Sequence, residues 1–142
     1  MKAKEYLQQI RKCDRIIENK LSEIDSLRGL AESVTSTWKE DAVQSSGATD
    51  KLGDTVAKIV DLQTEINADI DTLVDLKREI MSVIDRLEAP FCDLLYKRYF
   101  QFLKWEEIAV GMNCSFRHVI RMHGTALKMV EHVLECPIKP VV

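Results

Sequence analysis

The chain is poor in the residue types that build sites by themselves. Its 142 residues include 5 glycines, 3 prolines and only 6% aromatics. No Gly-rich phosphate loop, Gly-x-Ser-x-Gly turn or dinucleotide fingerprint occurs. No run of 18 or more apolar residues is present, so no membrane-spanning helix is expected. The opening Met-Lys-Ala-Lys-Glu is charged with no apolar stretch behind it. That argues against a secretory signal and predicts a cytoplasmic protein. The 4 cysteines, Cys13, Cys92, Cys114 and Cys136, form no Cys-x-x-Cys pair and fall at or near apolar-periodic positions, which reads as reduced thiols filling core sites. Glu106 and Glu107 are adjacent and diverge on a helix, while His118, His123 and His132 share no face with a carboxylate or thiol. Neither an enzyme nor a metal or cofactor site is expected. The Asn113-Cys114-Ser115 sequon is read as accidental in a cytoplasmic chain.

Charge, by contrast, is plentiful at 30% of residues, which suits long solvent-washed helices better than a thick core. It is unevenly divided. Residues 1–89 hold 13 Lys and Arg against 18 Asp and Glu, while residues 90–142 hold 7 against 5 together with all 3 histidines. Attraction to polyanions is therefore expected to be local to the C-terminal part, and the N-terminal part is not expected to touch nucleic acid.

Apolar spacing organises the N-terminal part into two long helices. From about Ala3 to Val34, the residues Ala3, Tyr6, Ile10, Cys13, Ile17, Ile24, Leu27, Ala31 and Val34 recur at helical spacing, with Lys20 as the polar intrusion. From about Asp50 to Glu88, the residues Leu52, Ile59, Ile66, Leu73, Ile80 and Leu87 repeat every seven residues, with Val56, Ile70 and Ile84 four residues after three of them. A sustained period of 3.5 implies left-handed supercoiling against partner helices. The stretch from Ser33 to Thr49 is rich in Ser, Thr and Gly, so the chain is expected to reverse there into an antiparallel hairpin, with Asp50 capping the second helix. Trp38 and Val43 either fold back onto the hairpin end or form a partner-binding tip. Pro90 breaks the second helix and sets a boundary between a hairpin domain, residues 1–89, and a small domain, residues 90–142.

The small domain reads as three helices: Phe91 to about Phe102, Trp105 to Met112, and Ser115 to about Glu135, with Pro137 and Pro140 ending regular structure in a loose tail. Leu94, Leu95, Tyr99 and Phe102 are expected to face inward on the first. Val119, Met122, Ala126, Met129, Val130 and Val133 form the buried stripe of the last, which leaves Arg117, His118, Arg121, Thr125 and Lys128 outside. Ala109 lets two helices approach closely. Asn113 tolerates the positive φ that a tight interhelix turn needs, and Ser115 is a strong N-cap for the helix that follows. The fold expected is therefore all-α, a long helical hairpin followed by a three-helix helix-turn-helix domain.

A helix N-terminus docked in the major groove presents its first two turns to base edges. Here those turns offer Arg117, suited to bidentate pairing with guanine O6 and N7, and Arg121 one turn later. His118 adds a hydrogen-bonding group, and the Ser115 hydroxyl and free helix amides suit a phosphate oxygen. Lys97, Arg98 and Lys104 are the candidate backbone contacts. A plainer alternative is that Arg117 and Arg121 form a solvated face near Glu106 or Glu107.

From Leu94 to Leu127 the motifs Arg98-Tyr-Phe, Trp105-Glu-Glu-Ile-Ala, Asn113-x-Ser and Ala126-Leu127 resemble region 4 of the sigma-70 family, the module that binds the promoter −35 element. The whole chain, with Val34-Thr-Ser-Thr, Val43-Gln-Ser-Ser and the Lys58-Ile-Val-Asp-Leu heptads, also resembles small prophage proteins of Gram-positive bacteria. Those are similar to phage late-transcription activators of the RinA and ArpU kind. The resemblance implies a phage transcriptional regulator in the cytoplasm of a bacterial host, with Phe116, Arg117, Ile120 and Arg121 at the positions that approach bases. Two departures stand out. Phe116 and Ile120 are apolar where sigma factors usually carry polar groups, and nothing resembles the region that melts the −10 element. These two side chains contact thymine methyl groups, are buried by another element, or form a subunit interface.

The expected partners are double-stranded DNA, RNA polymerase, and a second copy of the chain through the heptad helices. The alternative is a phage structural or adaptor protein acting through its hairpin.

Overall fold

The computed structural model describes residues 2–40 and 46–136, with side chains for residues 2–33 and 50–136. Among these residues the chain is all-α, with no strand. Its elements are α1 (Ala3–Glu40), α2 (Ser46–Ile84), α3 (Phe91–Leu95), a π-helical turn (Tyr96–Phe100), α4 (Trp105–Gly111) and α5 (Phe116–Glu135). No glycine or proline lies between Gly29 and Gly47. Nothing therefore stops α1 at Val34, because Ser and Thr lower helix propensity without breaking a helix. α1 runs to Glu40 and α2 begins at Ser46, so both helices enter the Ser33–Thr49 stretch expected to reverse. Asp50 lies inside α2 instead of capping it. Val43, the side chain of Trp38 and the tail from Pro137 onward fall outside the described residues.

The chain divides into two compact units, residues 14–72 and the remainder up to Cys13 and from Leu73. Within residues 14–72, Ile17, Ile24 and Leu27 of α1 and Ile66 of α2 are buried. The polar intrusion is resolved by partners on the facing helix: Lys20 Nζ lies 2.6 Å from Asp69 Oδ2 and 3.4 Å from Glu65 Oε2. These carboxylates, Asp69 first, hold the ammonium above the ordinary lysine range. Ile59, Leu62 and Ile66 follow the seam, whereas Val56 and Ile70 stand 48% and 43% exposed. A single facing helix covers only the narrow heptad stripe, so positions four residues further on lie on its flank. Val60 shares that flank.

The other unit joins the start of α1 and the end of α2 to everything that follows. Ala3, Tyr6, Leu7 and Ile10, then Ile80, Val83, Ile84 and Leu87, form one core with Leu95, Tyr99, Ala126 and Val130. Leu7 and Ile10 thus meet the far end of α2, and Lys20 its middle, in antiparallel order. Regular α2 ends at Ile84, one turn before the Glu88 expected. The next turn tightens to i→i−3 bonds, Arg86 N to Val83 O and Leu87 N to Ile84 O, which keeps Leu87 in the core. Packing therefore continues across Glu88 to Pro90, although the helix breaks there. A second core, Leu94, Ile108, Ala109, Val119 and Met122, joins α3, α4 and α5. The cysteines are free; Cys13, Cys92 and Cys114 are half-buried, but Cys136 is exposed and fills no core site.

Removing methylenes from a fully buried leucine costs about 2–5 kcal/mol. Leu7→Ala is expected to lower stability by that amount in denaturant unfolding and to weaken amide protection in α5 as well as α1. Protection lost from α1 alone would show that the core is not shared.

Candidate nucleic-acid interface

The interhelix turn is built as its residues demand. Asn113 has φ 54°. Its N–H donates to Val110 O at 3.2 Å and that of Cys114 to Ala109 O at 3.0 Å, the paired bonds of a Schellman ending with Asn in the left-handed position usually held by glycine. Ser115 then caps α5, its hydroxyl accepting from the His118 amide at 3.2 Å. Ala109 is buried beside Ile108 beneath the turn. At the start of α4, the Lys104 amide donates to the Glu107 carboxylate at 3.1 Å.

This arrangement brings Ser115, Phe116, Arg117, His118, Ile120 and Arg121 to one end of α5, all exposed. Val119 and Met122 face the core. Neither Arg117 nor Arg121 forms an ion pair among the described residues, and Glu107 is turned toward its own helix start. Phe116 and Ile120 are 48% and 39% exposed, so no element of the described chain buries them.

The flanking cations are not equivalent. Lys104 is exposed. Lys97 Nζ lies 3.6 Å from where a Cβ on Gly111 would stand, beside the C-terminal end of α4, where the helix dipole favours a cation. Arg98 is turned inward, its guanidinium 4.3 Å from the Trp105 ring centroid and its Nη1 donating to Leu103 O at 2.9 Å.

Sequence reasoning passed over what holds α5 in place. The continuous helix expected from Phe91 to Phe102 instead changes at Tyr96 to a π turn, closed by Gln101 N to Tyr96 O at 3.2 Å. The turn carries Tyr99 inward, where its hydroxyl lies 2.7 Å from His123 Nε2. The His123 ring stacks on Tyr99 and meets Trp105 edge-on at 4.5 Å. Burial, with Arg98 and Lys4 nearby, pushes the His123 pKa down to about 4; burial pushes Tyr99 up to about 12. A neutral imidazole accepts the tyrosine O–H at Nε2 in one tautomer and donates to the tyrosine oxygen in the other. The usable signal was the pairing of His123 with two inward-facing aromatics, which requires knowing the π turn.

Among the described residues no group of three or more His, Cys, Asp or Glu side chains is placed to hold a metal, and no helix is long and apolar enough to cross a membrane. Comparison with protein-family models, with curated proteins and with solved structures returned no match.

The pH dependence follows from His123. Its folded pKa lies below the ordinary value of 6.5, so folding favours the neutral ring. That contribution is complete above about pH 6.5 and is lost as pH falls toward about 4. Unfolding measured between pH 7 and 4 is expected to show a shallower decline in His123→Gln than in the unchanged protein. Equal slopes would rule out a half-buried imidazole held neutral by the fold.

Proposed function

We propose that the protein is a DNA-binding transcriptional regulator of the phage type, reading the major groove with the first two turns of α5. One observation carries the reading. Arg117 and Arg121 stand one turn apart on a capped helix start, both exposed and neither in an ion pair among the described residues. Arg117 is the guanine-reading group, Arg121 and His118 add base or phosphate contacts, and Ser115 with the helix amides holds a phosphate oxygen. Phe116 and Ile120, exposed beside them, suit thymine methyl groups or a subunit contact. Lys104 supplies a backbone contact. Arg98 contributes mainly through field, given its intramolecular partners, and Lys97 supplies charge beside the end of α4.

One head binds weakly, so the reading includes a second copy joined through the hairpin, or RNA polymerase as partner. Val56, Val60 and Ile70, apolar and exposed on one flank of α2, support association of two hairpins. A two-fold pair prefers half-sites about one helical turn, ~34 Å, apart or a multiple of it. The resemblance to sigma-70 region 4 and to RinA- and ArpU-type activators points the same way and suggests a cytoplasmic setting in a bacterial host. The same flank favours a second reading, a phage structural or adaptor protein in which the hairpin is the working part.

The test is gel-shift titration on duplexes selected from a random pool. Each bidentate arginine–guanine contact discriminates by about 1–3 kcal/mol, so Arg117→Ala/Arg121→Ala is expected to weaken binding about thirtyfold or more. Log affinity of the unchanged protein is expected to fall steeply with log salt. An unaffected double variant overturns base reading, and absent or salt-independent binding favours the adaptor.

A further inference from the structure

A pocket of about 220 Å³ opens beside the π turn, lined by Gln8, Arg11, Arg98, Tyr99 and Phe102. Both arginines are held by aromatic faces. The Arg11 guanidinium lies 4.5 Å from the Phe102 ring centroid, and that of Arg98 lies 4.3 Å from Trp105. Phe102 reaches this position through a left-handed backbone, φ 56°, which in a non-glycine residue is sustained only when the surroundings enforce it.

Two cations in one small pocket repel, and such placements are normally relieved by a carboxylate. None lines this pocket. Neither Arg11 nor Arg98 forms an ion pair among the described residues. A guanidinium carries five N–H donors, and Arg98 commits Nη1 to Leu103 O, leaving edge donors that ring stacking does not consume. The charge is felt beyond the pocket: Arg98 and Lys4 both work against a proton on His123. No described side chain lining the pocket supplies a counter-charge, and the exposure of Arg11 leaves the pair open to an anion from outside.

We infer that this pocket binds an oxyanion of the phosphate class, gripped by Arg11 and Arg98 with the Gln8 amide as a further donor. A tetrahedral, multiply charged anion has enough acceptor oxygens for two guanidinium forks and an amide at once. Chloride has no such geometry. The volume, about that of seven liquid waters, admits a phosphate group. The ligand would tie α1 to the π turn, the segment that positions Tyr99 against His123 of α5. The inference is independent of base reading, since none of these residues belongs to the start of α5.

The test is calorimetric unfolding of the full chain in inorganic phosphate against chloride at matched ionic strength, for the unchanged protein, Arg11→Gln, and Lys128→Gln as a control for surface charge. Phosphate is expected to raise the midpoint saturably, by about 4 °C at a tenfold excess over Kd, in the unchanged protein and in Lys128→Gln but not in Arg11→Gln. Arg11 is exposed, so its variant should fold, which circular dichroism verifies. No phosphate-specific rise in the unchanged protein, or an equal rise in Arg11→Gln, overturns the site. A second arm identifies the source of the phosphate. If the anion is a DNA backbone phosphate, Arg11→Gln lowers the slope of log affinity against log salt by about one. If it is a free phosphate, duplex binding by Arg11→Gln is unchanged while the midpoint response is lost.

Discussion

Ala126 and Val130 of α5 are fully buried in the same core as Leu7, Ile10, Ile80 and Ile84. The rest of the C-terminal architecture depends on that burial. α3 and α4 are only 5 and 7 residues long, too short to persist without tertiary packing. Their own core of Leu94, Ile108, Ala109, Val119 and Met122 is small. The ends of the two long helices supply the remaining apolar surface. Each large aliphatic side chain so buried contributes about 1.5–3 kcal/mol, and without it α5 has one side of its stripe uncovered.

Given that support, the other interactions set orientation. The stack of Arg98, Trp105, His123 and Tyr99 fixes α5 against the π turn and α4. The Asn113 turn and the Ser115 cap fix where α5 begins. Together they leave one short edge of the helix facing outward, bearing two guanidinium groups that form no ion pair among the described residues. Recognition surfaces gain from such rigidity because less conformational freedom is lost on binding.

Much of this was legible in the chain. Heptad spacing located the α2 seam, and Ile66, Ile80 and Leu87 are buried as that spacing requires. Asn113 and Ser115 carried their roles in their chemistry, since few residues other than glycine accept a left-handed backbone and few cap a helix as well as serine. Helix ends were less legible. A Ser/Thr-rich run looks like a loop by composition, yet its residues can be helical, as the extension of α1 to Glu40 shows. The inward face of Tyr99 was legible, but the π turn has no sequence signature, so the contact of Tyr99 with His123 and the stacking of Arg98 were out of reach. Leu7 was missed for a related reason: the seam-facing pattern of α1 accounts for one neighbour, and Leu7 is buried in a core that also contains residues of α5. Lys20 stood out as an anomaly, but its partners, 45 and 49 residues away, became identifiable only once the two helices were paired.

The most direct check of this dependence is the isolated segment of residues 90–142, followed by circular dichroism melting and by the dispersion of its amide NMR spectrum. Shared burial with the helix ends predicts a segment that retains helical tendency but melts without a cooperative transition and gives collapsed amide shifts. A sharp two-state melt with a well-dispersed spectrum would contradict it, by showing that the three short elements and α5 need nothing from the hairpin.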